Sequence, residues 1–300
     1  MTLLNPTREL ALYSLGGAAP AAAGNCPPML SSARYSRYKY GSVTATEAFA
    51  RALVAALDQR YPELARAPRL LMTSSPYAYV PTAATTLARS LQPLLNAARA
   101  ARGLAAAPLA KVDRIRTSAG DYGTLSAEDR DRHMAANALS FRRFRPDQVR
   151  GTYLLVVDDV RVTGAHQRCL MRASEELPLA GRAFLYIASF PGPTGAGFDP
   201  TLEDALNHAA VKTLADLAAI VEADDFAWNV RACKFILDPA NHGELPRFLR
   251  RMPSSFVRDL DRNSREDGYW RMTRYAPSHA LVRAELGERL RTRPAARTPA

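Results

Sequence analysis

The stretch Y-L-L-V-V-D-D-V-R-V-T-G-A-H-Q, residues 153–167, decides the fold. Leu154, Leu155, Val156 and Val157 form a short apolar run that stops at Asp158 and Asp159. Such a run, bounded by a turn, predicts a buried strand of a parallel sheet. The turn Val160-Arg161-Val162-Thr163-Gly164 follows, and a helix is expected to begin at about His166. Ligands of open α/β sheets bind beyond the carboxyl ends of the strands. Two carboxylates there accept hydrogen bonds from a sugar diol. The unpaired N–H groups of a T-G-x turn opening a helix hold a phosphate, and the helix dipole favours the negative charge. Diol acceptors beside a phosphate cradle point to a ribose phosphate.

Alternating strand and helix signals surround this segment. A helix is expected from Thr44 to Leu57, capped by Thr44 or Thr46, with Phe49, Leu53 and Leu57 on one face. Leu70 to Met72 reads as a short strand and Thr82 or Thr85 as the cap of a helix running toward Arg102. A third strand is expected near Ala110 to Val112, and another from Arg182 to Phe190. The pattern predicts an α/β fold with a doubly wound, mostly parallel sheet over residues 31–195. Residues 1–30, with Gly16-Gly17 and Pro27-Pro28, read as an irregular arm. The Gly/Pro run at 191–197 marks a boundary. Beyond it a helical region, residues 196–290, is expected to contain helices over Leu202–Val221, Phe226–Leu237 and Leu245–Leu260. Residues 291–300 read as a disordered tail.

Composition narrows the function. Residues 1–198 hold 24 Lys and Arg against 14 Asp and Glu; residues 199–300 hold 16 against 15. The basic excess lies on the half with the phosphate turn, which suits a polyanionic small substrate and would also suit nucleic acid. No apolar stretch reaches the roughly 18–20 residues of a membrane helix, and no secretory signal is evident, so a cytoplasmic protein is expected. Three scattered cysteines, Cys26, Cys169 and Cys233, suggest neither a disulfide framework nor a zinc site. The chain lacks G-x-x-x-x-G-K-[ST], and its histidines show no H-E-x-x-H spacing.

The segment Leu154 to Gly164 resembles the ribose-phosphate loop of the type I phosphoribosyltransferases. Departures are Arg161 at a position usually apolar, Val162 where some purine-using members carry an acidic base catalyst, and Ala165-His166 in place of a small residue and a hydroxyl. The resemblance implies that Val162, Thr163, Gly164, Ala165 and His166 hold the 5-phosphate of phosphoribosyl pyrophosphate. It implies that Asp158 and Asp159 hold the ribose hydroxyls, directly or through Mg²⁺. Ser74, Ser75 and Tyr77, after an earlier strand and before a helix, fall where the family places its pyrophosphate loop; an ordinary Ser-Pro turn is the other reading. Arg34, Arg37 and Lys39 are read as reaching the phosphates, or else as solvating the amino-terminal arm.

Residues 114–141 resemble the hood loop of competence-type members through R-x-R-x-T at Arg114 to Thr117, then Leu125-Ser126 and Arg130. Arg116 is accordingly assigned to stabilising the leaving group. Three further stretches, S-R-Y-K-Y-G (36–41), S-S-P-Y-A-Y-V-P-T (74–82) and F-A-W-N-V-R-A-C-K-F-I-L (226–237), are similar to a narrower group. These are the phosphoribosyltransferase-like proteins encoded near tellurium-resistance and stress genes, which implies nucleotide or nucleoside-like metabolism. The expected activity is Mg²⁺-dependent phosphoribosyl transfer to a nitrogenous acceptor, without membrane or nucleic-acid partners; a homodimer is compatible with it. The alternative is a nucleotide-sensing regulator that keeps the fold and binds RNA or DNA.

Overall fold

A computed structural model describes residues 7–15, 29–114, 139–141, 144–190 and 200–292. Four parallel strands form the sheet, in the order β1 (Thr7–Ser14), β6 (Gly181–Ser189), β5 (Tyr153–Arg161), β2 (Leu70–Ser74). Side chains alternate across a strand, and the two central strands show it. Leu155, Val157, Leu185 and Ile187 enter one core, while Leu154, Val156, Phe184 and Tyr186 enter the other. The first core is closed by α1 (Ser32–Lys39), α2 (Val43–Arg60), α3 (Pro62–Ala65) and α4 (Ala83–Ala100). The second contains Phe141, Phe144, Val149 of α5 (Pro146–Val149) and Leu170 of α6 (Ala165–Ala173). Helices on both faces make the sheet doubly wound, as the α/β pattern predicts. A two-residue antiparallel pair, β3 (Asp113–Arg114) with β4 (Leu139–Ser140), lies apart from it.

Several elements differ from expectation. Residues 7–14, read as part of an irregular arm, form the edge strand β1. Among them only Leu10 is buried, so the segment carries little apolar signal, and its register with β6 is set by a strand some 170 positions away. Arg161 explains part of the attachment, because it pairs with Glu9 at 2.5 Å and donates to the Phe190 carbonyl at 3.1 Å. The arginine that departs from the family pattern thus ties the end of β5 to β1. The strand expected at 110–112 reduces to a single bridge from Leu109 to Met72. Pro108 accepts from the Met72 N–H but has no N–H of its own to extend a ladder. The cap of α2 is Ser42, not Thr44 or Thr46.

The carboxy-terminal residues fold as α7 (Pro200–Asn207), α8 (Leu214–Glu222), α9 (Val230–Leu237), α10 (Leu245–Arg251), α11 (Ser254–Glu266) and α12 (Ala276–Arg291). The expected helix over 202–221 is two, because Thr213 and Asp216 form a reciprocal capping box that starts α8. The helix expected from Phe226 starts only at Val230, capped by Asn229; Phe226 and Trp228 instead pack with Phe256. The helix expected over 245–260 is broken at Met252-Pro253 between α10 and α11. Helices α8 to α12 share a core that also receives Tyr40 and Val80 from the sheet half, whereas Leu206 of α7 packs against the first core of the sheet. The expected boundary at 191–197 lies outside the described residues; of the tail expected over 291–300, Arg291 instead closes α12, and residues 293–300 lie outside the described residues. Among the described residues, no helix is long and apolar enough to cross a membrane. Cys169 and Cys233 are both buried.

Candidate active site

The register of β2 against β5 builds the site. Ser74 lies beside Val157, so the next residue along each strand direction, Ser75 and Asp158, meet where β2 has ended and β5 continues. Ser75 Oγ donates to Asp158 Oδ1 at 2.8 Å and stands 3.3 Å from His166 Nε2. His166 Nε2 is 3.8 Å from Asp158 Oδ2. The two turns therefore meet at one end of the sheet. Strand β5 also runs further than expected, through both acids to Arg161. Its extended backbone places Asp158 and Asp159 on opposite sides of the strand.

Asp159 turns toward α1, where the Lys39 ammonium forms a buried ion pair with its Oδ2. The Val160 N–H donates to Asp159 Oδ1 at 2.8 Å. Burial alone would raise this carboxyl, but the charge and hydrogen bond of Lys39, the Val160 N–H and the charge of Arg231 hold it below the ordinary carboxylate range. Asp158 goes the other way. Burial, reinforced by the neighbouring charge of Asp159, raises it to about 7 against the pull of Ser75, the Asp159 N–H and Lys39. One acid is thus a fixed anion while the other is poised to carry a proton. Tyr35 and Tyr38 line the inner face of α1, and their hydroxyls are buried with no hydrogen-bond partner among the described residues. Burial and then the charge of Asp159 push both phenols well up.

The phosphate turn has the conformation its sequence requires. Gly164 sits at φ 72°, a left-handed position, and α6 begins immediately after it without a side-chain cap. Val162 and Thr163 are buried, and Thr163 Oγ1 accepts weakly from the Ala165 N–H at 3.3 Å. Arg168, one turn into α6, folds back so that its guanidinium donates to the Thr163 carbonyl at 2.8 Å. A cation on this turn adds to the helix dipole in favour of an anion.

The structure sorts the other expected residues. Ser74 is buried with its hydroxyl bonded to Thr85 at 3.0 Å, bracing the turn. Tyr77 lies between Lys111, 4.3 Å from its ring centroid, and Arg89, which donates to its hydroxyl at 3.1 Å. Arg37 is exposed on α1 while Lys39 turns inward, a separation set by the 100° step of a helix. Arg116 lies outside the described residues. Lys39 is therefore brought to the two acids and Arg37 is not.

The helical region contributes more than expected. Asp267 Oδ1 accepts from the Tyr79 and Val80 N–H groups at 2.8 and 3.2 Å, fixing the turn that follows Ser75. Asn229 Nδ2 donates to the Lys39 carbonyl at 3.2 Å, and the next residues carry Arg231 into the field of Asp159. Nothing local in the sequence marks Asp267 or Arg231, whose partners lie far away along the chain, on the sheet half. Arg168, four residues after Gly164, was within reach of a helical reading.

Because Asp158 keeps its proton to a higher pH in the fold than in the unfolded chain, its contribution to stability is full below pH ~4 and falls as pH rises toward 7. Urea unfolding should show stability declining across that window. Asp158→Asn should flatten the decline; equal slopes for the two proteins would refute the assignment.

Asp158 and Asp159 are the side chains of this site with the chemistry to hold a metal ion. No group of three or more His, Cys, Asp or Glu side chains able to hold a metal occurs among the described residues. Two carboxylates suit Mg²⁺, which keeps its waters and shares its coordination with substrate phosphates. The ammonium already seated on Asp159 shows that the position favours a cation. A family model described as PRTase ComF-like matches residues 13–282. No curated protein matches the chain.

Proposed function

The chain belongs to the ComF-like phosphoribosyltransferase family, and from that premise we propose that it transfers a phosphoribosyl group from phosphoribosyl pyrophosphate to a nitrogenous acceptor. The observation that carries the reading is the Ser75–Asp158 hydrogen bond, which joins the proposed leaving-group turn to the proposed ribose turn. Val162, Thr163, Gly164, Ala165 and His166 cradle the 5-phosphate on the first N–H groups of α6, with Arg168 behind them. Asp158 and Asp159 accept from the ribose hydroxyls and stabilise the positive charge that grows on the sugar as the bond from C1 to pyrophosphate breaks. The bonding pair leaves with pyrophosphate, the acceptor nitrogen bonds to C1, and its proton passes to solvent. Ser75, Lys39 and the amino end of α4, capped by Thr82, receive the leaving group, with Arg116 of the hood as a further cation. Mg²⁺, held by the two acids and the substrate, would supply charge neutralisation on the pyrophosphate. We place this chemistry in nucleotide or nucleoside-like metabolism, in line with the resemblance to proteins encoded beside tellurium-resistance genes.

One feature favours a second reading. Val162 is buried where a base catalyst would stand, so the loop offers a ligand cradle without a proton acceptor at that position. A regulator that binds the nucleotide and reports it to RNA or DNA would need no more. Pyrophosphate release from the Mg²⁺ complex of phosphoribosyl pyrophosphate, measured across a panel of bases, separates the two. Release with at least one base is the expected result. Binding without release from any base, together with salt-dependent nucleic-acid binding, would replace the enzyme by the sensor.

A further inference from the structure

We infer that Lys39 is an internal cation that occupies the ribose and metal side of Asp159 in the free protein and passes to the polyphosphate when substrate binds. The inference deepens the phosphoribosyl pyrophosphate reading and rests on it for the second half of the exchange. Both oxygens of Asp159 are engaged, Oδ2 by the Lys39 ammonium and Oδ1 by the Val160 N–H. Each oxygen keeps a further lone pair, but a hydrated divalent cation arriving at Oδ2 meets the positive charge of the ammonium, and the two repel at that distance. The backbone N–H is fixed within β5, whereas the ammonium ends a flexible four-carbon stem.

The displaced ammonium needs another anion. Lys39 is buried, and the Tyr35 ring lies beside it with its centroid 5.8 Å from Nζ. A ring face at that distance does not replace a carboxylate for a desolvated ammonium. The substrate brings the replacement itself, since the diphosphate would lie beside Ser75, across the same acid pair. Only the side chain has to move, because the Lys39 carbonyl is anchored by Asn229 and the end of α1 is packed against the helical region. Arg34 and Arg37, exposed on the other face of α1, cannot substitute for it.

This arrangement gives two effects of opposite sign. In Lys39→Met, two neighbouring carboxylates lose their internal cation, and Mn²⁺ alone should bind about tenfold more tightly than to the unaltered protein, read by titration calorimetry or by the electron-spin signal of free Mn²⁺. The same variant should bind Mg²⁺-pyrophosphate and Mg²⁺-phosphoribosyl pyrophosphate about tenfold more weakly, since a charge-assisted bond is lost. Lys39→Arg should restore weak Mn²⁺ binding. The chain has four lysines, Lys39, Lys111, Lys212 and Lys234, so ¹³Cε-lysine labelling gives a resolvable spectrum of the unaltered protein. Its Lys39 signal should shift on adding Mg²⁺-pyrophosphate even if the methionine variant does not fold. Mn²⁺ affinity in Lys39→Met equal to or below that of the unaltered protein would overturn the inference, as would a Lys39 signal unmoved by saturating pyrophosphate. Failure of the unaltered protein to bind either polyphosphate would instead sink the phosphoribosyl pyrophosphate reading, and the Mn²⁺ comparison would still decide whether Lys39 sits in the cation position.

Discussion

Changing Asp158 and Asp159 together to asparagine is expected to weaken binding of Mg²⁺-phosphoribosyl pyrophosphate by a hundredfold or more, with pyrophosphate release falling at least as far. Hydrogen bonds to a charged group contribute about 1.5–3 kcal/mol each, so losing two places the effect at about 10²- to 10⁴-fold. Calorimetry on the paired proteins is the direct measurement, and equal affinities would remove the acids from the site. The double variant also leaves the buried Lys39 ammonium without its carboxylate. Removing one partner of a buried pair costs about 3–5 kcal/mol, and the full figure is too large here because the two side chains retain 11% and 18% exposure. Adding Lys39→Met should therefore recover much of the stability without recovering binding. That combination separates a lost site from a damaged fold.

The elements most legible in the sequence are those whose signal is local. The run from Leu154 to Val157 specifies β5 because each residue meets a helix-covered core on one face or the other. Its acids and the Thr163-Gly164 turn are read from the same fifteen residues. Ser75 was legible as the residue after a strand, and parallel pairing of β2 with β5 was enough to bring it to Asp158. Lys39 was legible only as one of three cations on a short segment. Which of them turned inward depended on the helical phase of α1, fixed by the burial of Tyr35 and Tyr38. Asp267 and Arg231 were not legible, since each acts across the junction between the sheet half and the helical region. Strand β1 was hidden because an edge strand with one buried residue has almost no hydrophobic period.

That junction is where the second large effect is expected. Gly41 follows α1 at φ 93°, and its carbonyl accepts from the Ala227 N–H at 2.8 Å. A Cβ at Gly41 would lie 2.4 Å from the Ala227 carbonyl oxygen and 3.0 Å from the Phe226 ring. The left-handed backbone alone costs an L-residue about 1–2 kcal/mol. The collision adds to this because its target is main chain, which cannot rotate away as a side chain can. Relief requires residues 226–228 to move, which breaks the Ala227 hydrogen bond and disturbs the Phe226–Trp228–Phe256 cluster. Gly41→Ala should therefore destabilise the protein by about 3 kcal/mol or more in urea unfolding. Gly151→Ala provides the control, since Gly151 has φ 68° but open space around its Cβ position, and only the conformational part, about 1–2 kcal/mol, should appear. Equal losses at the two glycines would show that the junction yields without cost. A larger loss at Gly41, accompanied by weaker polyphosphate binding, would mean that the helical region holds Lys39 in place through the two residues that follow it.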